Sequence, residues 1–495
     1  MKILAKLEKS FDSWFLIIIS LVFFLLRLPS LFEPDWYGDE GIYQVLGIAI
    51  RAGRLLYRDI FDNKPPLLYL LYSLVSSDQF LVRSISLVFG LVSVWIFFYL
   101  SKRLFNNPRI SYISTALFAV LFGLPLIEGN IANAENFMLP LNILAGFLVL
   151  KSLDTKKINQ KYMILFSAGL VLGISFLFKI VAVFDFTAFF AFLFFVNYSK
   201  KLLEIFKLKN LIIEIKNLLP LMIGFAIPIV ITALYFTLNH ALSNFLTATL
   251  FSNVGYVGSG NKLIIPQGFL ILKLILLGVF SLFIFYKRKV FENSFMFVSL
   301  WLAFSLFDAY FSQRPYTHYV LILLPALCLM FGLFMLNKNF SKLAGILTIV
   351  SFIAILLSFS FYIKTVFYYT NFISFVIDGT HVTSYQKFFD ASTPRDYEIV
   401  SYINSHANPK DNIFIWGNNA QVYYSTNKLP PGKYTVAYHI TGYKDGYSNT
   451  LKGLQLSKPR FIVVMPNVSA YPFSLSNYIQ SMNIDNVIIY EKINK

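Results

Sequence analysis

The chain has 495 residues, of which 57% are hydrophobic, 54 are Phe and only 14% are charged, and its mean hydropathy is +0.64. Those values exclude a soluble globular protein and indicate a polytopic membrane protein. The formal net charge of +17 does not indicate nucleic-acid binding, because the basic residues sit in short clusters between apolar runs, the pattern of cytoplasmic loops.

Lys2, Lys6 and Lys9 precede the apolar stretch Trp14–Leu26 with no small-residue cleavage site in view, so this stretch reads as a retained first span. Runs long enough to cross a hydrocarbon core of about 30 Å recur to about residue 363. They fall at 13–32, 82–101, 110–127, 134–151, 161–178, 181–198, 217–238, 265–286, 293–312, 318–336 and 342–363. The expected architecture is a membrane all-α bundle of about eleven transmembrane helices with outer-face juxtamembrane helices. Clusters at Lys102–Arg109, Lys151–Lys161, Lys200–Lys216, Lys287–Lys289 and Lys338–Lys342 belong inside with the N-terminus. Residues 33–65 then lie outside. The piece Pro66–Val75 is too short to span, and it reads as an interfacial or re-entrant helix. The single cysteine, Cys328, lies within an apolar run and permits no intramolecular disulfide.

The composition turns polar after about residue 364. Ile413–Trp416, Phe461–Met465 and Val487–Tyr490 read as buried strands, and Asp396–Ser405 and Ser474–Met482 as helices. The expected division is a transmembrane catalytic domain at 1–363, with an outer loop at 33–77, and an extracytoplasmic stem and small α/β domain at 364–495.

Charge gathers in the outer loop, from Asp35 to Tyr72. Glu40–Leu55 carries Ile42, Val45, Leu46, Ala49 and Ile50 at helical spacing, which predicts an amphipathic helix on the outer membrane face. Asp39 stands at its start, either as a plain N-cap or as a working carboxylate. Asp39 and Glu40 point about 100° apart on a helix, so they divide tasks: one works on an acceptor, the other orients a neighbour or a metal. In Asp62-Asn63-Lys64-Pro65-Pro66 the prolines predict a helix start near Pro65, which puts Lys64 where unpaired N–H groups and the dipole favour an anion. That is a phosphate site at the lipid interface, against the plainer reading of a snorkelling lysine. Glu135, Arg314 and His318 are expected on the same outer side, with Arg314 as a phosphate clamp. Asp185 and Asp308 lie within apolar runs near their outer ends, either as functional carboxylates or as partners of an outer-face base.

The segments WYGDEGIY, LLYRDIFDNKPPLLYLLYSL, NAENFMLP and RPYTHYVLILLPAL resemble the GT-C glycosyltransferase superfamily, in its bacterial branch similar to protein O-mannosyltransferases and lipid A aminoarabinose transferases (families 39 and 83). The likeness covers about residues 10–340. The resemblance implies a polyprenyl-phosphate-linked sugar as donor and transfer on the extracytoplasmic side of the plasma membrane. It implies Asp39 as general base on the acceptor hydroxyl and Lys64 as the holder of the lipid phosphate, with Arg314 a looser phosphate contact. Glu135 stands where related enzymes carry an acidic residue. Glu40 completes the catalytic pair, with Asp62, Glu135 and His318 in support. A cation at Lys64 or Arg314 would stabilise the leaving phosphate in a single inverting displacement.

The five histidines are scattered and no metal-ligand spacing appears, so no cofactor is required; a divalent cation stays open because Asp39, Glu40 and Glu135 could meet in space. The acceptor is protein, glycan or lipid. The loop Ser243–Pro266, with Tyr256 and Lys262, is expected to close over it. The rival reading is a transporter or lipid-linked sugar flippase. The absence of similar halves and the gathering of ionisable residues at one face weigh against it. An assembly or polymerase-like protein would leave Asp39 and Lys64 without a task.

Overall fold

The structure is a computed structural model that describes residues 2–198, 208–253, 268–312, 314, 316–336, 353, 365–379 and 381–493. The expected span 342–363, apart from Ile353, and most of the loop 243–266 lie outside the described residues. The chain forms two compact units, one of residues 1–28, 85–235 and 250–365, the other of residues 29–84, 236–249 and 366–495.

The first unit is helical. Among the described residues, six helices are long and apolar enough to cross a membrane: Ser10–Phe32, Gln79–Phe105, Ala134–Leu153, Ile215–Leu238, Phe269–Lys287 and Thr317–Leu336. In chain order the first eight helices are α1 (Lys2–Arg27), α2 (Gly38–Arg51), α3 (Pro66–Leu74), α4 (Gln79–Phe105), α5 (Pro108–Gly123), α6 (Ala134–Leu153), α7 (Ile158–Phe176) and α8 (Ala182–Asn197). Rings fill the bundle: Phe97 stacks on Phe118 at 4.4 Å and Phe189 on Phe297 at 5.3 Å. Asp185 is spent inside it. Its carboxylate accepts from Trp301 Nε1 at 2.6 Å and Asn142 Nδ2 at 2.9 Å, while Asn142 Oδ1 accepts from Ser175 Oγ. A buried carboxylate with that many donors ties helices together.

The second unit holds the charged loop 33–77. Helix α2 ends earlier than its apolar pattern predicts, because Gly53 at φ +82° closes it: Gly53 N–H donates to Ile50 O and Arg54 N–H to Ala49 O. That left-handed cap needs glycine and stops the helix at Arg51, four residues before Leu55. Nor does the apolar face of α2 lie on a membrane surface. Ile42, Val45, Leu46 and Ala49 are buried within the unit, where Tyr69 and Tyr72 of α3 pack on Tyr43. On another side the chain at Gln421 comes so close that a Cβ at Gly41 would stand 2.7 Å from the Gln421 nitrogen. Helix α3 starts where the proline pair predicts, with Pro65 in the cap position and Pro66 first in the helix.

The C-terminal segment adds a four-stranded sheet of β1 (Ile413–Trp416), β2 (Phe461–Val464), β3 (Tyr478–Ile484) and β4 (Val487–Lys492), in the order β1-β2-β4-β3. Strands β1 and β2 are parallel, and β4 is antiparallel to both β2 and β3. The expected helix at 474–482 is instead largely β3. Asp485 and Asn486 both take positive φ, 45° and 64°, making the two-residue turn that folds β3 back on β4. Hydrogen bonds fasten this segment to the loop 33–77: Phe61 N–H to Lys433 O at 2.9 Å, Arg54 Nη1 to Pro430 O at 2.9 Å, Tyr368 hydroxyl to Glu33 at 2.6 Å.

At the head of α4, Arg83 is wholly buried and held by carboxylates. Its Nη1 lies 2.9 Å from Glu33 and donates to Ser30 O at 2.7 Å, while Nε and Nη2 form a fork on Glu40 at 3.1 and 2.5 Å. Removing one partner of a buried ion pair leaves the other charges uncompensated. Arg83→Ala is therefore expected to destabilise the protein by about 3–5 kcal/mol, read as a lower thermal midpoint in detergent, whereas an unchanged midpoint would show the clamp to be dispensable.

Candidate active site

Lys64 is the centre of the charged cluster in loop 33–77, and its main chain is fixed at both ends. The Tyr57 hydroxyl donates to Lys64 O at 2.8 Å, and Lys64 N–H donates to the Tyr69 hydroxyl at 3.1 Å. Tyr57 does this from a left-handed backbone at φ +69°, a conformation a bulky residue holds only where its surroundings impose it. Here Phe236 and Phe245 pack its ring at 5.3 and 5.7 Å.

The ammonium stands between two carboxylates and near an aromatic ring. Lys64 Nζ lies 3.6 Å from Asp39 Oδ2 and 3.8 Å from Asp62 Oδ2, and 4.8 Å from the centre of the Tyr43 ring. Both carboxylates have hydroxyl donors of their own: Tyr43 on Asp39 at 3.1 Å, Tyr69 on Asp62 at 2.7 Å. Burial holds the Tyr43 and Tyr69 hydroxyls well above the usual tyrosine pKa, so they stay donors. The carboxylates differ in access. The Asp39 side chain is 38% exposed and that of Asp62 only 4%, so Asp39 alone of the two can meet an incoming hydroxyl group.

Asp39 is the second residue of α2, not its cap: Tyr37 holds the cap position, and the Asp39 carboxylate reaches forward one turn to Tyr43. Glu40, its neighbour in sequence, turns away into the fork of Arg83. The 100° step between adjacent helical residues thus divides the two carboxylates between an open site and a buried clamp.

In the helical unit a second charged cluster forms. Glu135, in the first turn of α6 and buried, pairs with Lys179 and lies 4.0 Å from His318 Nε2. His318 Nδ1 meets Glu128 Oε2 at 2.9 Å, Thr317 donates to Glu128, and Lys179 Nζ stands 4.3 Å from the centre of the Tyr319 ring. Glu135 and His318 therefore meet. Arg314 is partly buried, and its neighbours 313 and 315 lie outside the described residues. Asp308 Oδ2 is buried with no hydrogen-bond partner among the described residues. Among those residues no group of three or more His, Cys, Asp or Glu is placed to hold a metal ion.

Sequence reasoning passed over Arg83, Lys179 and His439. Arg83 and Lys179 each stand nearly alone in apolar surroundings, and an isolated base near a span end, with acidic residues in the adjoining loops, was the available signal. His439 carried none, because its partner Asp62 lies far back in the chain.

The sequence profile of the family described as dolichyl-phosphate-mannose-protein mannosyltransferase matches residues 64–223. No curated protein matches the chain in a sequence search. Among solved structures, ArnT from Cupriavidus metallidurans bound to undecaprenyl phosphate aligns at a TM-score of 0.57 and 12% identity, over 98% of this chain and 98% of that one. The archaeal oligosaccharyltransferase AglB from Archaeoglobus fulgidus, in complex with an inhibitory peptide and a dolichol-phosphate, aligns at a TM-score of 0.47 and 12% identity, over 92% of this chain and 69% of that one. The chain is thus a multi-pass membrane protein with the polytopic GT-C fold and a small C-terminal sheet, and over residues 64–223 it carries the pattern of a mannosyltransferase family.

The site has a measurable pH signature. Burial, opposed by Asp62, draws the His439 pKa down to about 4, below the unfolded value of about 6.5. Between those values the unfolded chain binds the extra proton, so the stability contributed is complete above about pH 6.5 and is lost as the pH falls toward 4. The thermal midpoint of the native chain should therefore fall more steeply from pH 6.5 to 4 than that of His439→Phe; parallel curves would contradict this.

Proposed function

We propose that this membrane protein of the GT-C fold is a glycosyltransferase that moves a sugar from a polyprenyl-phosphate donor to an acceptor hydroxyl on the extracytoplasmic face. The single observation that carries the reading is a lysine ammonium beside one accessible and one buried carboxylate, immediately before the proline-started α3. The N-terminus is then cytoplasmic, and residues 364–495 lie outside with the loop 33–77.

In the reaction the acceptor oxygen attacks the anomeric carbon and the bond from that carbon to the phosphate oxygen breaks, with inversion. Lys64 stabilises the negative charge gathering on the leaving polyprenyl phosphate. Asp39 takes the acceptor's proton as its oxygen becomes a nucleophile. Asp62 and Tyr69 hold Lys64, and Glu40 acts by position, fixing α2 through Arg83. Arg314 is assigned to the phosphate, and Glu135 and His318 to support of the acceptor side. The acceptor is a protein, glycan or lipid hydroxyl, and no step is routed through a metal.

The test is transfer of labelled sugar from polyprenyl-phosphate donors in detergent. Asp39→Asn should fold normally and lose about 100-fold or more in kcat. Lys64→Met should lose about 100-fold in kcat/KM. Native rates in Asp39→Asn would overturn its role, and a native chain that transfers from no such donor would overturn the reading as a whole.

A further inference from the structure

The C-terminal segment brings a histidine to the counter-ion of Lys64. His439 lies in the short helix Ala437–Gly442, only 4% exposed, with the rings of Tyr438, Phe61, Tyr443 and Tyr434 at 4.5, 5.4, 5.8 and 6.4 Å. Its Nε2 stands 3.7 Å from Asp62 Oδ1, and its Nδ1 is buried with no hydrogen-bond partner among the described residues. A buried N–H without an acceptor is rarer than a lone pair without a donor, so the proton belongs on Nε2, facing Asp62. The charged groups acting on the ring are Asp62 and Asp39, which favour its protonation, and Lys64, which opposes it; burial among the aromatic rings outweighs them and keeps it neutral at pH 7.

Asp62 therefore stands between two donors of different kind. Its Oδ2 takes the Tyr69 hydroxyl and lies 3.8 Å from the ammonium, while Oδ1 faces an imidazole N–H just beyond hydrogen-bond reach. An anion docking on Lys64 draws the ammonium away and leaves a buried carboxylate short of a partner, which is costly unless another donor closes on it.

We propose that His439 is a positioning residue for the phosphate of the lipid donor: its Nε2–H closes on Asp62 when Lys64 passes from that carboxylate to the phosphate. The proposal rests on the glycosyltransferase reading above. It makes the C-terminal segment part of the donor site. The imidazole touches neither sugar nor phosphate; it lowers the cost of releasing Lys64. Its removal thus weakens donor binding while leaving chemistry on bound donor nearly intact.

The experiment compares native protein, His439→Phe and His439→Gln for binding of undecaprenyl phosphate in detergent micelles, for thermal midpoint at pH 7.5, and for KM and kcat of transfer. Phe fills the aromatic pocket without the N–H, and the Gln amide puts a donor near the Nε2 position. His439→Phe is expected to keep its midpoint but bind the lipid phosphate about tenfold more weakly and raise the donor KM in step, with kcat within about twofold and with Gln restoring most of the affinity. Native affinity in a folded His439→Phe, or a Gln variant no better than Phe, would overturn the proposal while leaving the glycosyltransferase reading in place. A native chain that neither binds undecaprenyl phosphate nor transfers sugar would overturn both.

Discussion

A guanidinium with no exposure to solvent governs the arrangement of the charged loop 33–77. Arg83 is fixed at the head of α4, and its donors reach Glu33, Ser30 and Glu40 at once. A buried ion pair is weak evidence of net stability, since desolvation offsets much of the attraction. Its consequence is positional. The planar fork accepts Glu40 in one orientation, and that sets the rotation of α2, so Asp39 one residue earlier faces the other way, toward Lys64. Glu33 also takes Trp36 Nε1 at 2.8 Å and the Tyr368 hydroxyl at 2.6 Å, which ties the loop and the C-terminal segment to the same charge.

On that frame the Lys64 site combines a fixed main chain with an ammonium placed between two carboxylates. Tyrosine hydroxyls fix the lysine main chain on both sides, and its ammonium stands 3.6 and 3.8 Å from two carboxylates. Two acids at that range compensate the charge of the ammonium, which alone would cost the folded state its desolvation. The difference in exposure between Asp39 and Asp62 leaves the first open to solvent and the second enclosed.

How much of this was legible in the sequence depends on the range of the interaction. Pro65-Pro66 marks the start of α3 because proline acts on its own residue and the one before. Six of the expected spans correspond to long apolar helices among the described residues, legible because about twenty apolar residues need no partner to identify them. Gly53 ended α2 by a rule equally local but overlooked beside the stronger apolar period. The same happened at β3, where Asp485-Asn486 is a hairpin signal outweighed by an apparent helix start at Ser474. Asp39 and Lys64 could be picked out as candidates because they are charged, in a loop, and next to helix starts. That Glu40 belongs to Arg83, Glu135 to Lys179 and Asp62 to His439 could not be read, since each pair joins residues 43, 44 and 377 positions apart in the chain.

The central claim is that one ammonium serves the carboxylates in the resting protein and the lipid phosphate in the complex. The most direct measurement is the affinity for undecaprenyl phosphate of the native chain, Asp39→Asn and Lys64→Met at constant ionic strength. If the ammonium is shared, Asp39→Asn removes a competitor and binds the lipid at least as tightly as native, while Lys64→Met loses most of the affinity. If Asp39→Asn weakens binding as much as Lys64→Met does, the carboxylate is a lipid-site ligand rather than a competitor, and the account of Lys64 is wrong.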